Sequence, residues 1–160
     1  MLGATIFLTG CARRGYHTPV GVETVGGKFL TAEAARHLIW PLKGTTVFSY
    51  GAKEDHVSLK GIVIRAGEGS LVRAAQSGRV GFTDESLSGY GKTIILEHAP
   101  DFSTVYARNS EILVKLGQWV HQGEAIAKVG RLGKGNHLEL YFEVRRASAP
   151  EDPLKYLAGQ

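Results

Sequence analysis

Of the side chains able to ligate a metal or carry a proton, His56, His98, His121 and His137 stand far apart in the chain. A zinc centre needs several donors that converge on one point, which on a strand or helix shows as ligands a few positions apart. None of these histidines has a second His at ligand spacing. His56 is followed four residues on by Lys60, a cation, and His137 opens only the triplet His137-Leu138-Glu139. The expectation is therefore surface or loop histidines, with no metal and no cofactor. The other chemically rich stretch is 138–146, LELYFEVRR, which alternates like a strand. Leu138, Leu140, Phe142 and Val144 fall on one face, and Glu139, Tyr141, Glu143 and Arg145 on the other. The first face belongs in a core, and the second should look into something.

The surrounding chain supplies many short apolar runs separated by glycines, 21 in 160 residues, which is the texture of an all-β domain. Strands are expected at Thr46–Tyr50, Leu59–Arg65, Ser70–Ala74, Arg79–Thr83, Thr93–His98, Ser103–Arg108, Glu124–Val129 and Leu138–Arg145. Their spacing favours an antiparallel sheet, sandwich or barrel. The segment Val114–Gly130 repeats a glycine-turn design also found in lipoyl and biotinyl carriers. It has no lysine between methionines for such a group to modify. The net charge of +4, from 19 basic and 15 acidic residues, suits an acidic partner or an anionic surface. The basic residues are scattered rather than clustered, so no nucleic acid is expected.

Ahead of the β pattern, residues 1–11 form an apolar stretch ending in Leu8-Thr9-Gly10-Cys11, which resembles a bacterial lipoprotein box. The reading is a truncated lipoprotein signal peptide. Cys11, the only cysteine and hence unable to close an internal disulfide, would be the lipidated residue and the tie to a membrane. Ala12 follows it in place of the Asp that retains such lipoproteins at the inner membrane, so a periplasmic domain anchored to the outer membrane is expected. Residues 12–38 read as a linker, with a possible short helix at Thr31–Leu38 capped by Thr31.

From Trp40 onward the chain carries an ordered set of landmarks. They include Trp40-Pro41, Lys60-Gly61, Ala66-Gly67-Glu68-Gly69, Gly78-Arg79-Val80, Gly89-Tyr90-Gly91, Leu96-Glu97-His98, Thr104-Val105-Tyr106, Ile126–Gly130, Phe142-Glu143-Val144-Arg145 and Asp152-Pro153-Leu154. In this order and spacing the segment 39–158 resembles the LytM, or M23 peptidase, domain. The resemblance implies that family's antiparallel β fold. Active members are zinc endopeptidases of peptidoglycan, with a His-x-x-x-Asp pair, a His-x-His pair and a further catalytic His. In this chain the corresponding positions are Leu59 and Val63, Glu139 and Tyr141, and Arg108. The resemblance thus implies a degenerate member that is not an enzyme and has no catalytic residue.

Within the family the local sequence is most similar to the envelope activators of cell-wall amidases, whose empty groove receives an autoinhibitory helix of the amidase. That resemblance implies a partner-binding groove formed by Leu59, Lys60, Val63, Tyr90, Thr93, Arg108, Glu139, Tyr141 and Arg145. Leu59 and Val63 would give an apolar floor, the two tyrosines aromatic anchors, and Lys60 and Arg145 partners for carboxylates. The expected function is a non-catalytic regulator that activates an N-acetylmuramoyl-L-alanine amidase. The alternative is a peptidoglycan-binding module with no enzyme partner.

Overall fold

The computed structural model describes Phe29 and residues 37–131 and 136–158. The lipoprotein box with Cys11, the linker up to Lys28 and nearly all of the expected 31–38 helix lie outside the described residues.

The described chain folds as antiparallel β structure. Its strands are β1 (Thr45–Phe48), β2 (Lys53–Glu54), β3 (Val57–Ser58), β4 (Ile62–Ala66), β5 (Leu71–Arg73), β6 (Gly78–Leu87), β7 (Gly91–Ala99), β8 (Phe102–Ile112), β9 (Trp119–Val120), β10 (Ala125–Val129), β11 (Leu138–Arg146) and β12 (Ala149–Glu151). The main sheet runs β1-β4-β11-β8-β7-β6-β9, with β12 on the end of β11 and β10 bridging β5 to β8. The eight expected strands are all present, with shifted ends. The fourth and sixth run furthest past their expected ends, β6 to Leu87 and β8 to Ile112, while β1 stops at Phe48 and β4 begins only at Ile62, so Leu59 precedes its strand. The short strands β2, β3, β9 and β12 were not expected, because two or three residues cannot show an alternation.

The alternation of β11 is realised on both faces. Leu140, Phe142 and Val144 enter the main core with Ile62, Ile64, Ile94, Leu96, Tyr106 and Ile126. The opposite face carries a second, smaller cluster of Leu59, Val63, Ala107 and Tyr141, flanked by Val47, Phe48 and Tyr90. β11 lies between β4 and β8, with Tyr141 level with Val63 on one side and Ala107 on the other. Burial on both faces means that polar residues in this strand must find partners inside the protein.

Two features close the domain. Leu38 forms a parallel bridge with Leu157, its amide donating to the Tyr156 carbonyl (3.2 Å) while the Ala158 amide donates back to Leu38 (2.9 Å). Trp40 Nε1 adds a bond to the Ala158 carbonyl at 2.7 Å. The final turn, Pro153–Lys155, is capped by Asp152, whose carboxylate accepts the Leu154 amide.

Three of the four histidines considered above, His56, His121 and His137, are exposed as expected, but His98 is a correction. It is fully buried in β7, with Nδ1 2.9 Å from the Ser77 carbonyl and Nε2 2.7 Å from Thr104 Oγ1. A carbonyl can only accept, so the proton sits on Nδ1 and Nε2 accepts from the Thr104 hydroxyl. Thr104 is in turn bonded to the Tyr106 hydroxyl, which accepts the Ala75 amide at 2.8 Å. A neutral ring satisfied at both nitrogens is an acceptable core residue, which single-sequence reading cannot separate from a surface one.

Burial holds the His98 pKa down at about 4. The unfolded chain takes up a proton near pH 6.5 whereas the folded one does not, so this stabilisation is complete above pH 6.5 and falls as pH drops towards 4. Its full size is about 3 kcal/mol. Chemical denaturation between pH 7 and 4.5 should show this decline, and His98→Gln should flatten it. Parallel pH profiles for the two proteins would refute the assignment.

Candidate functional site

The second cluster is the floor of a site on the face of the sheet opposite the main core. Its geometry starts at a backbone irregularity in β8. Up to Ala107 this strand pairs with β11, and from Asn109 it pairs with β10. Between them Arg108 has φ 67°, a left-handed conformation uncommon for a residue with a side chain. Its amide donates to the Tyr90 carbonyl (2.8 Å), which ties the 88–91 loop to the switch. Gly130 makes the switch possible, because a Cβ there would come within 2.4 Å of the Arg108 carbonyl oxygen. The kink delivers Arg108 to the site face.

Arg108 is nearly enclosed, with 5% of its side chain exposed, and is the hub of the local charges. It donates to both carboxylate oxygens of Glu54, at 3.1 Å from Nη1 and at closer range from Nη2. Nη1 also lies 3.7 Å from Glu139. Glu139 is held independently by Arg65, with Nε at 3.0 Å and Nη2 at 2.8 Å from one oxygen. The guanidinium stands over the Tyr141 ring, 5.4 Å from its centroid, a favourable cation–π position.

Next along β11, Glu143 is completely buried. One oxygen accepts the Tyr141 hydroxyl (2.7 Å) and the Tyr90 hydroxyl (3.1 Å), and the other accepts Arg145 Nε (2.7 Å) and Nη2 (2.6 Å). The Tyr141 oxygen also accepts the Lys60 amide at 3.1 Å. Tyr90 and Tyr141 meet edge to face with centroids 5.5 Å apart. Burial raises the pKa of both phenols, and the neighbouring Glu143 raises them further, so both remain proton donors to that carboxylate. Gly61 leaves room for the network, since a Cβ there would lie 2.2 Å from the Phe142 carbonyl oxygen.

Leu59, Val63, Tyr90 and Tyr141 are thus brought together, with Arg108 and Glu139 beside them and Arg145 joined through Glu143. Lys60 is exposed, and Tyr90, Glu139 and Arg145 are partly so. Leu59, Val63, Thr93, Arg108 and Tyr141 are buried, so they shape the surface from beneath. Thr93 turns its hydroxyl to the Gly91 carbonyl (2.9 Å), bracing the loop next to Tyr90. Glu54, Arg65 and Glu143 complete the site and were not singled out from sequence. Glu143 carried a signal, being in alternation with Glu139 and Tyr141. Glu54 and Arg65 carried none, since their contacts span 54 and 74 positions of chain.

The positions that the family resemblance matches to metal ligands, Leu59, Val63 and Tyr141, lie together here, with Glu139 beside them. Two are hydrocarbon, the phenol is engaged with Glu143, and the one carboxylate faces two guanidinium groups. This donor set does not fit a zinc ion. Among the described residues no group of three or more His, Cys, Asp or Glu could hold a metal ion.

The central carboxylate gives a direct prediction. Glu143→Gln removes the charge that holds Arg145 and two phenolic protons, and should cost at least about 2 kcal/mol. A urea midpoint unchanged from the parent protein would refute this.

Comparison with known proteins places this geometry. The profile described as Peptidase family M23 matches residues 57–153, more than half of the chain. Murein hydrolase activator EnvC of Escherichia coli is 38% identical over 119 residues, covering 74% of this chain and 28% of that protein. Lipoprotein NlpD/LppB homolog of Pseudomonas aeruginosa is 39% identical over 119 residues, covering 74% of this chain and 39% of that protein. The chain therefore spans well under half the length of these relatives. Among solved structures, Helicobacter pylori Csd3 superposes with a TM-score of 0.66 at 32% identity, covering 78% of this chain and 34% of that one. With the family profile covering more than half of the chain and the sheet in agreement with a solved relative, the chain belongs to peptidase family M23.

Proposed function

We propose that this domain is a non-catalytic regulator that binds and activates a cell-wall N-acetylmuramoyl-L-alanine amidase, promoting peptidoglycan cleavage during cell separation or envelope remodelling. The observation that carries the reading is the content of the site. At the positions that the resemblance matches to the family's metal ligands stand two aliphatic side chains and an engaged phenol, packed as a small core, and an arginine takes the place of a catalytic histidine beside them. Around them Lys60, Tyr90, Glu139 and Arg145 remain accessible as a rim of mixed charge with an aromatic edge. Such a surface suits an amphipathic helix, which would set its apolar side on Tyr90 and its carboxylates against Lys60 and Arg145. The occupant in this reading is the autoinhibitory helix of the amidase. The names of the relatives support an activator, and one of them is a lipoprotein. By the same analogy, residues 39–158 act as the LytM unit behind a linker. Cys11 carries the lipid that holds the domain in the periplasm at the outer membrane.

The test is dye release from labelled cell wall by an amidase of the same cell, with and without the domain. The domain should raise release only when the amidase is present. Lys60→Glu, a change on an exposed residue, should raise the concentration for half-maximal activation at least tenfold, equivalent to about 1.4 kcal/mol of binding. Tyr141→Ala should abolish activation, with circular dichroism to separate loss of contact from loss of fold. Failure to activate any amidase of that cell would overturn the proposal. Sedimentation of the domain with purified cell wall alone, unaltered by Lys60→Glu, would favour a peptidoglycan-binding module instead.

A further inference from the structure

The hairpin of β2 and β3 is attached to the rest of the domain in an unusual way. It turns through Asp55 (φ 46°) and His56 (φ 67°), both left-handed, as a tight two-residue connection requires. Val57 is 66% exposed, so no apolar packing of that residue presses the hairpin down. The described hydrogen bonds of its neck are internal: Gly51 amide to Leu59 carbonyl (2.9 Å), Leu59 amide to Ala52 carbonyl (2.8 Å) and Ser58 hydroxyl to Gly51 carbonyl (3.1 Å). Among the described residues, the hydrogen bonds from residues 51–58 to anything outside 49–59 are those between Glu54 and Arg108. Gly51, at φ 80°, supplies a pivot at the neck.

Arg108 is poorly provided for apart from that carboxylate. Its Nε is buried with no hydrogen-bond partner. Its other acidic neighbour, Glu139, stands at 3.7 Å and is already held by Arg65. A buried guanidinium so placed demands a carboxylate, and its planar fork binds one through two parallel bonds.

We propose that Arg108 is a carboxylate-binding site for the docking partner, and that Glu54 occupies it in the free domain as an internal competitor. The partner is an acidic side chain on the docking segment. It displaces Glu54, the hairpin swings out about its neck, and the newly exposed face of Arg108 and Tyr141 joins the contact. The site is thereby self-blocked, and the apparent affinity of the partner is reduced by the fraction of domain in which the hairpin is closed. The inference rests on the amidase-activator reading for the identity of the partner, but the latch itself does not.

Glu54→Gln is the discriminating variant, because Glu54 lies on the hairpin and outside both apolar clusters. In the dye-release assay it should lower the concentration for half-maximal activation roughly three- to tenfold, and an ordinary contact residue would raise it instead. In the isolated domain it should speed amide hydrogen exchange at Gly51 and Leu59 while the β7 and β8 amides keep their protection. With acetate as the probe, the Arg108 Nε–H resonance should shift saturably in Glu54→Gln and much less in the parent protein, against chloride at equal ionic strength. Activation by the parent protein with no gain, or a loss, in the variant would overturn this inference and leave the regulator reading standing. Absence of activation by either protein would remove that reading, and the exchange and acetate measurements would then decide the latch alone. Equal acetate response in both proteins, or unchanged exchange, would overturn it.

Discussion

A strand hydrogen-bonded along both edges and covered on both faces has no solvent into which a polar side chain can retreat. β11 is in that position over most of its length, and the constraint propagates outward. Its apolar face joins the main core without difficulty. Its other face carries an acid, a phenol, a second acid and a base, each of which needs a partner supplied from elsewhere. Tyr90 is brought by the 88–91 loop, Arg108 by the kink in β8, Arg65 by β4, and room for Glu143 by Gly61. The site is the set of elements needed to keep β11 satisfied.

A filled site also behaves differently from an ion-holding one. In a metal centre the ligands converge on a charge that is not part of the chain. Here the charges are all covalent, and they alternate in sign from Glu54 through Arg108 and Glu139 to Arg65. Each member is fixed partly by the next, and Arg108, the most buried of them, would be left without compensation if its carboxylate were removed. Arg108 is the member with the least slack, since its backbone is already in a sparsely populated conformation and one of its nitrogens is unbonded.

Legibility from sequence followed the range of the interactions. Strands with enough residues to alternate were visible, as was the two-faced character of 138–146, because both depend on neighbours within one segment. The family's landmarks then located Leu59, Val63, Arg108, Glu139 and Tyr141 as one site, and the structure does bring them together. What remained hidden was pairing at a distance. Nothing local distinguishes Glu54 from any exposed acid, and its importance appears only when the hairpin is folded against β8. His98 illustrates the same limit: it is core because Ser77 and Thr104 happen to satisfy both of its nitrogens. Leu59 was assigned to a strand, whereas it packs with Val63 from a position before β4, so the shared face is made by tertiary packing.

The bridge between Leu38 and Leu157 bears on how the domain carries tension. The two segments run parallel, so a pull on the chain before Leu38 and another after Ala158 act in opposite directions along neighbouring strands. The Leu38–Tyr156 and Leu38–Ala158 bonds, with Trp40 alongside, are then loaded together in shear instead of one at a time by peeling. Both segments join the domain on the main-core side of the sheet. The path of such a load therefore closes on itself at that edge, away from the face that carries Leu59, Val63 and Tyr141.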